Sequence, residues 1–340
     1  MKRFSTFLPL LLTACGAVQN VIAAERVALV ITNDAYPGNP ARPEPGQLCR
    51  LDSVVEDRRV MIAALRSVGF EVVQHANLGT EAMIESIQAF AGRNAGTKEV
   101  LFYFSGHGAQ VHGENYLCGI DTNPDLGGAL LDVEARYRGH ELDERKTDLE
   151  RDAAEKRSVP LRMVLASLQL MTPPDTTVAE RAKHVRIVLL DACRSPFGSL
   201  PPTKGMAFRK GGLGEVPRGA GLFIGFGAAA NEEANTNEPG RPSLFTELIA
   251  ERLQKPGTIQ QVFLEARARV NLQALATIGR RQFPAYYDEL ENPFSFVRES
   301  FAVEAGSVST PPPVIQQTAK STDRLPIRTN EEAIPAGRSK

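Results

Sequence analysis

Two short segments place an imidazole and a thiol directly after apolar runs: Ser105-Gly106-His107-Gly108 and Asp191-Ala192-Cys193-Arg194. A thiol with a free pKa of about 8.5 is mostly protonated at neutral pH, and an adjacent imidazole takes its proton or holds the thiolate as an ion pair. That chemistry suits attack on a carbonyl carbon, with Cys193 as nucleophile and His107 as base. Glycines on both sides of His107 permit a tight loop and leave room for a substrate backbone to pass. A single cysteine after an apolar strand is more often a small buried hydrophobe, so the weight rests on the pair.

The elements that must position the pair are legible around it. Val100-Leu101-Phe102-Tyr103-Phe104 and Val185-Arg186-Ile187-Val188-Leu189-Leu190 are rich in β-branched and aromatic residues and read as buried parallel strands. In open α/β sheets the ligand crevice lies beyond the carboxyl ends of the strands, so neighbouring strands would deliver His107 and Cys193 to one edge. Strand-like runs alternate with helical periods along the chain, as βαβ units do. A helix is expected from Val54 to Val68, closed by Gly69, followed by a strand from Phe70 to Gln74. The next helix begins with Thr80 as its cap and carries Met83, Ile84, Ile87 and Phe90 on its apolar face. Later come a helix from Pro160, a strand from Gly221 to Gly227, and helices from Ser243 and Thr258. Right-handed crossovers would layer the helices on both faces of the sheet.

With these segments in this order, the sequence resembles the caspase-like cysteine peptidases of family C14, and within them the metacaspase and paracaspase branch with its many bacterial members. There a Ser-Gly-His-Gly segment supplies the base and an Asp-Xaa-Cys segment the nucleophile, matching His107 and Cys193. Ala192-Cys193-Arg194 fits the centre of the caspase signature, whereas Asp191 replaces its Gln and Ser195 its Gly. The resemblance runs from about Arg26 to Val297. It includes the first strand Arg26 to Asn33, the hairpin residues Asn115-Tyr116-Leu117, and the late Gly225-Phe226-Gly227-Ala228 and Ser243-Leu244-Phe245-Thr246-Glu247 segments. It implies an α/β fold, a caspase-like αβα sandwich with a mostly parallel central sheet. It also implies a cysteine endopeptidase with an oxyanion hole from the backbone amides of Gly108 and Cys193. In this branch an acid at the position of Asp191 forms part of the S1 pocket, joined by an acid on the first helix and sometimes another after the late strand. Asp57 aligns with the former and Glu233 more loosely with the latter, which implies cleavage after Arg or Lys. A buried substrate cation needs such acidic partners to offset its desolvation. Cleavage after Asp would need basic residues there. Two other readings use the same fold: a catalytically silent binding or scaffold domain, and a Cys-His hydrolase of non-peptide substrates.

Composition bounds the partners. The 340 residues are 42% hydrophobic, enough for a substantial core. With 39 basic and 40 acidic side chains there is no global field to attract nucleic acid or anionic lipid. Sixteen Phe, six Tyr and no Trp leave little aromatic surface for stacking bases. Peptides or proteins are the substrates that the resemblance implies. No cofactor is identified and no metal is expected; there is no zinc-ligand spacing or EF-hand loop, although some members of the resembled branch need calcium, so that requirement stays open.

The N-terminus reads as an exported chain's. Lys2 and Arg3 precede an apolar stretch from Phe4 to Ala14, with small residues up to Ala24, as in a secretory signal of residues 1–24. The stretch is too short to span a bilayer. Leu12-Thr13-Ala14-Cys15 also resembles a lipobox, so a lipid anchor at Cys15 competes with soluble periplasmic or secreted export. After cleavage Cys49, Cys118 and Cys193 remain, an odd number that leaves at least one thiol free. The peptidase domain is expected over residues 25–300, with a charged insert near 132–157 that lengthens the His107-to-Cys193 spacing beyond the roughly 50 positions of caspases. The Ser-, Thr- and Pro-rich tail, 305–340, reads as disordered. Arg209-Lys210, in the loop after the nucleophile, is a candidate self-cleavage site.

Overall fold

The computed structural model describes residues 24–39, 41–42, 47–111, 113–123, 140–192, 195–196, 221–228, 240–279 and 281–298, with only the backbone described at 140–147, 195–196 and 278. The expected signal segment up to residue 23, Cys15, Cys193, Arg209-Lys210, Glu233, residues 132–139 of the charged insert and the tail lie outside them.

Six strands make the central sheet: β1 (Arg26–Thr32), β2 (Glu71–Ala76), β3 (Glu99–Gly106), β7 (Val185–Ala192), β9 (Leu222–Phe226) and β10 (Ala285–Glu289). Their order is β10-β9-β7-β3-β1-β2, parallel throughout except for β10, which runs antiparallel to β9. Side chains on a strand alternate between its faces, so a run with both parities apolar is buried on both sides. Ala28, Val30, Leu101, Tyr103, Ile187, Leu189 and Phe223 face one layer of helices. That layer comprises α1 (Ser53–Ser67), α6 (Leu244–Arg252) and α7 (Ile259–Ile278). The alternate residues Leu29, Ile31, Phe102, Phe104, Val188, Leu190 and Ile224 face the other layer. It holds α2 (Thr80–Arg93) and α4 (Leu161–Gln169). The product is an αβα sandwich, the fold class expected from the sequence.

Local chemistry marks several of the helix ends. α1 stops at Gly69, whose φ of 87° suits glycine. Ser243 caps α6, and Thr258 opens α7 in a reciprocal capping box with Gln261. Thr80, expected as the cap of α2, is instead its first residue: Gly79 takes the cap position, and Asp121, 41 positions further on, accepts the Thr80 N–H at 2.8 Å. A donor at that helix end is thus satisfied from a distant part of the chain. The short helix α5 (Val178–Arg181) and the antiparallel β10 had no counterpart in the sequence reading.

A second, small sheet stands where β3 and β7 end. It is built from β4 (Gly108–Val111), β5 (Glu114–Leu117), β6 (Val159–Pro160) and β8 (Ser195–Pro196), in the order β6-β5-β4-β8. The charged insert forms α3 (His140–Glu155), which seats Ala154 against Val111 and Tyr116.

At the opposite edge Arg26 is nearly enclosed, 5% exposed. Its guanidinium donates to Glu99, to the Val68 carbonyl at 2.8 Å, and to the Ser295 and Phe296 carbonyls at 3.1 and 2.5 Å. It ties the start of β1 to the end of α1 and to the last described segment.

Candidate active site

Register brings the two chemistry-bearing segments side by side. β3 pairs with β7 so that Ser105 lies opposite Asp191 and Gly106 opposite Ala192. His107 follows β3 at the edge where such sheets bind ligands, and Cys193 is the next residue in sequence after β7. The same alternation that builds the core turns Tyr103, Ser105, Leu189 and Asp191 toward the α1 and α6 layer.

There Asp191 meets Asp57 of α1, and both are buried, 5% and 1% exposed. Ser105 Oγ donates to Asp57 Oδ2 at 2.7 Å, and the Ser243 N–H donates to Asp57 Oδ1 at 2.7 Å. Asp191 Oδ2 accepts from the Ser243 hydroxyl and from Thr246 Oγ1 at 2.5 Å. Ser243 thus serves both acids, one with its amide and the other with its hydroxyl. The Tyr103 hydroxyl stands 2.5 Å from Thr246 Oγ1. Burial pushes the Asp57 carboxyl well above its usual range, and the charge of Asp191 pushes it further. Burial also raises Asp191, against which the Ser243 and Thr246 donors hold it down. The negative charge accordingly rests on Asp191 while Asp57 keeps its proton longer. Gly227 completes the wall: a Cβ there would lie 3.0 Å from Asp191 Oδ1 and 3.1 Å from the Phe245 ring.

On the other side of the strand ends, His107 is held at its far ring nitrogen. Nε2 lies 2.7 Å from the Cys49 carbonyl. A carbonyl can only accept, so Nε2 carries the proton and Nδ1 of the neutral ring is the acceptor. The Tyr36 ring packs edge-on against the imidazole, 4.6 Å between centroids. Burial lowers the His107 pKa and the Cys49 carbonyl partly restores it.

A family model for the caspase domain of the C14 peptidases matches residues 25–295. The chain belongs to that family. Membership carries a cysteine peptidase-type function, and the six-stranded sandwich is a caspase-like fold. Among solved structures, caspase-1 from Spodoptera frugiperda is 16% identical, with a TM-score of 0.48 over 81% of this chain and 91% of that one. No curated protein sequence matches the chain.

Within this caspase domain, the structure brings Asp57 and Asp191 together and sets His107 and Gly108 at the same sheet edge. Cys193 and Glu233 lie outside the described residues. The sequence reading missed the groups that surround these residues. Ser105, Ser243 and Thr246 stood inside quoted segments, but a serine or threonine hydroxyl carries no signal of its own. The partner that orients His107 is a backbone carbonyl, which no residue type can announce. Cys49 is half-buried and Cys118 is buried. Among the described residues no group of three or more His, Cys, Asp or Glu side chains converges on a metal position, and no helix is long and apolar enough to cross a membrane.

Proposed function

We propose that this chain is a cysteine endopeptidase that cleaves after Arg or Lys, with Cys193 as nucleophile and His107 as base and later as proton donor to the leaving amine. The observation that carries the specificity is the buried Asp57–Asp191 pair beside the end of the His107 strand. A desolvated acid pair with its hydroxyl donors on one side attracts a cation, since an incoming guanidinium replaces the proton that Asp57 retains. This favours the metacaspase and paracaspase branch of the family. Glu233 stands as a third candidate S1 acid.

The dyad is supported by the register that makes His107 and Cys193 successive to paired residues, and by the Nε2–H to Cys49 bond that leaves Nδ1 as acceptor. The oxyanion hole is supported by strand pairing. The Cys118 N–H donates to the His107 carbonyl at 3.0 Å, which makes His107–Cys118 a hydrogen-bonding pair and Gly108–Leu117 the following non-bonded one. The Gly108 N–H therefore turns away from β5, to the side on which β8 pairs with β4. β8 begins at Ser195, two residues after Cys193 in sequence, which supports the Gly108 amide as a donor to an oxyanion formed at Cys193. Export belongs to the same reading, because cleavage near Ala24 leaves β1, which begins at Arg26, intact.

Hydrolysis of fluorogenic peptides ending in Arg and in Asp tests the proposal, with the purified chain and Cys193→Ala compared with and without calcium. Cys193-dependent cleavage after Arg is the expected result. Cleavage only after Asp would overturn the pocket assignment, and silence across a broad panel would favour a binding domain.

A further inference from the structure

Where the base leaves the central sheet, the ladder between His107 and Cys118 is interrupted by a side chain. A hydrogen-bonding antiparallel pair exchanges two direct N–H···O bonds. Here the Cys118 N–H reaches the His107 carbonyl directly, at 3.0 Å, but the return bond runs in two steps. The His107 N–H donates to the Tyr36 hydroxyl at 3.0 Å, and that hydroxyl donates to the Cys118 carbonyl at 2.9 Å. Two bonds in series span more than one, so the pair stands open on the side of the His107 amide, and the peptide plane that aims the His107 side chain is set by the inserted oxygen.

The surroundings are built for this insertion. Tyr36 is 3% exposed, and its ring lies edge-on against the imidazole it positions. Asn33 Nδ2 donates to the same Cys118 carbonyl at 3.0 Å, fixing the far end of the bridge. A Cβ at Gly106 would come within 2.8 Å of the Tyr36 oxygen and 2.9 Å of the Phe104 ring, so the hydroxyl occupies space that any larger residue at 106 would claim. Burial holds the phenol well above its usual pKa, which keeps it a donor through the neutral range.

We infer that Tyr36 is a positioning residue for the His107 base, its hydroxyl wedged into the His107–Cys118 pair so that the imidazole meets the Cys49 carbonyl with Nδ1 directed to the nucleophile. Without the hydroxyl, the pair closes to an ordinary ladder and re-aims the ring. The inference rests on the proposed His107–Cys193 dyad.

Its test reads the dyad first by thiol reactivity and then by turnover of an Arg-ending peptide. The rate of alkylation of Cys193 by iodoacetamide is followed from pH 5.5 to 9 by peptide mass spectrometry in the full chain. A thiolate–imidazolium pair gives reactivity that persists at low pH, whereas an isolated thiol gains it only toward about pH 8.5. Tyr36→Phe keeps the ring and is expected to lose at least about 10-fold of the rate at pH 6 and to lower kcat about 10- to 100-fold, with KM within about twofold. A folded Tyr36→Phe with the wild-type profile and kcat, even at a lower melting temperature, overturns the inference, because a merely structural tyrosine would behave that way. Should Tyr36→Phe not fold, Gly106→Ala displaces the hydroxyl by its Cβ: loss of the low-pH reactivity supports the wedge and a wild-type profile overturns it. His107→Ala separates the two levels. If it keeps the wild-type profile, the dyad itself fails; if it loses the low-pH reactivity while Tyr36→Phe does not, only the wedge fails.

Discussion

Asp57 and Asp191 share one desolvated space, and the fold resolves their repulsion by leaving the proton on Asp57. For an acid whose folded pKa is raised, the associated stability is present below its ordinary value near 3.8 and is lost as pH climbs through the folded value. Asp57→Asn removes that loss while keeping an acceptor for the Ser243 amide. Thermal unfolding should therefore show wild type and variant matched near pH 3.5 and the variant more stable at pH 7, its melting point higher by about 2–4 °C. The same substitution should cut kcat/KM on Arg-ending peptides about 10- to 100-fold, the trade of stability for function that a desolvated site imposes. His107 has the opposite sign. Its folded pKa is depressed by burial, so its contribution is intact above the ordinary imidazole value of 6.5 and is lost as pH falls below it. At this scale the sequence singled out His107, Asp57 and Asp191 as candidates, because their segments carry the motifs of the resembled family. It did not show Ser105, Ser243, Thr246 or Tyr36, whose roles come from distances that only folding sets.

Elements carry these groups with little slack. Ser243 is at once the cap of α6 and a donor to both acids, so that helix cannot shift without disturbing the pocket. Gly227, just past β9, lets Asp191 and Phe245 approach: Gly227→Ala should raise KM for Arg-ending peptides several-fold with little change in melting temperature, which steady-state kinetics and calorimetry together would read. Thr258→Ala breaks the capping box of α7 far from the chemistry and should cost about 1 kcal/mol in denaturant unfolding with kinetics unchanged. Helix boundaries were readable wherever a local cap or glycine marked them, as at Gly69, Ser243 and Thr258. They were misread at Thr80 because Asp121, from another part of the chain, supplies the acceptor. β10 escaped notice because Ala285–Glu289 is a half-exposed edge strand with neither strict alternation nor an apolar run.

Over the whole molecule, the parallel core was legible because both parities of β1, β3, β7 and β9 are apolar, which buried parallel strands require. What holds the two ends of the domain together was not, since it depends on Arg26 finding carbonyls at Ser295 and Phe296. Arg26→Met, which keeps most of the apolar stem, leaves Glu99 without its buried partner and frees those carbonyls. It should destabilise the fold by about 3 kcal/mol, measured by denaturant unfolding. The bond from Arg26 to Phe296 spans 270 positions of sequence. A ribosome adding about 5–20 residues per second makes the guanidinium roughly 15–50 s before it makes its acceptors. Until then Glu99 and the Val68 carbonyl are partners already made, and the bonds to Ser295 and Phe296 wait for the rest of the domain. Synthesis thus supplies a clock, because Arg26 cannot complete its bonds until Ser295 and Phe296 have emerged.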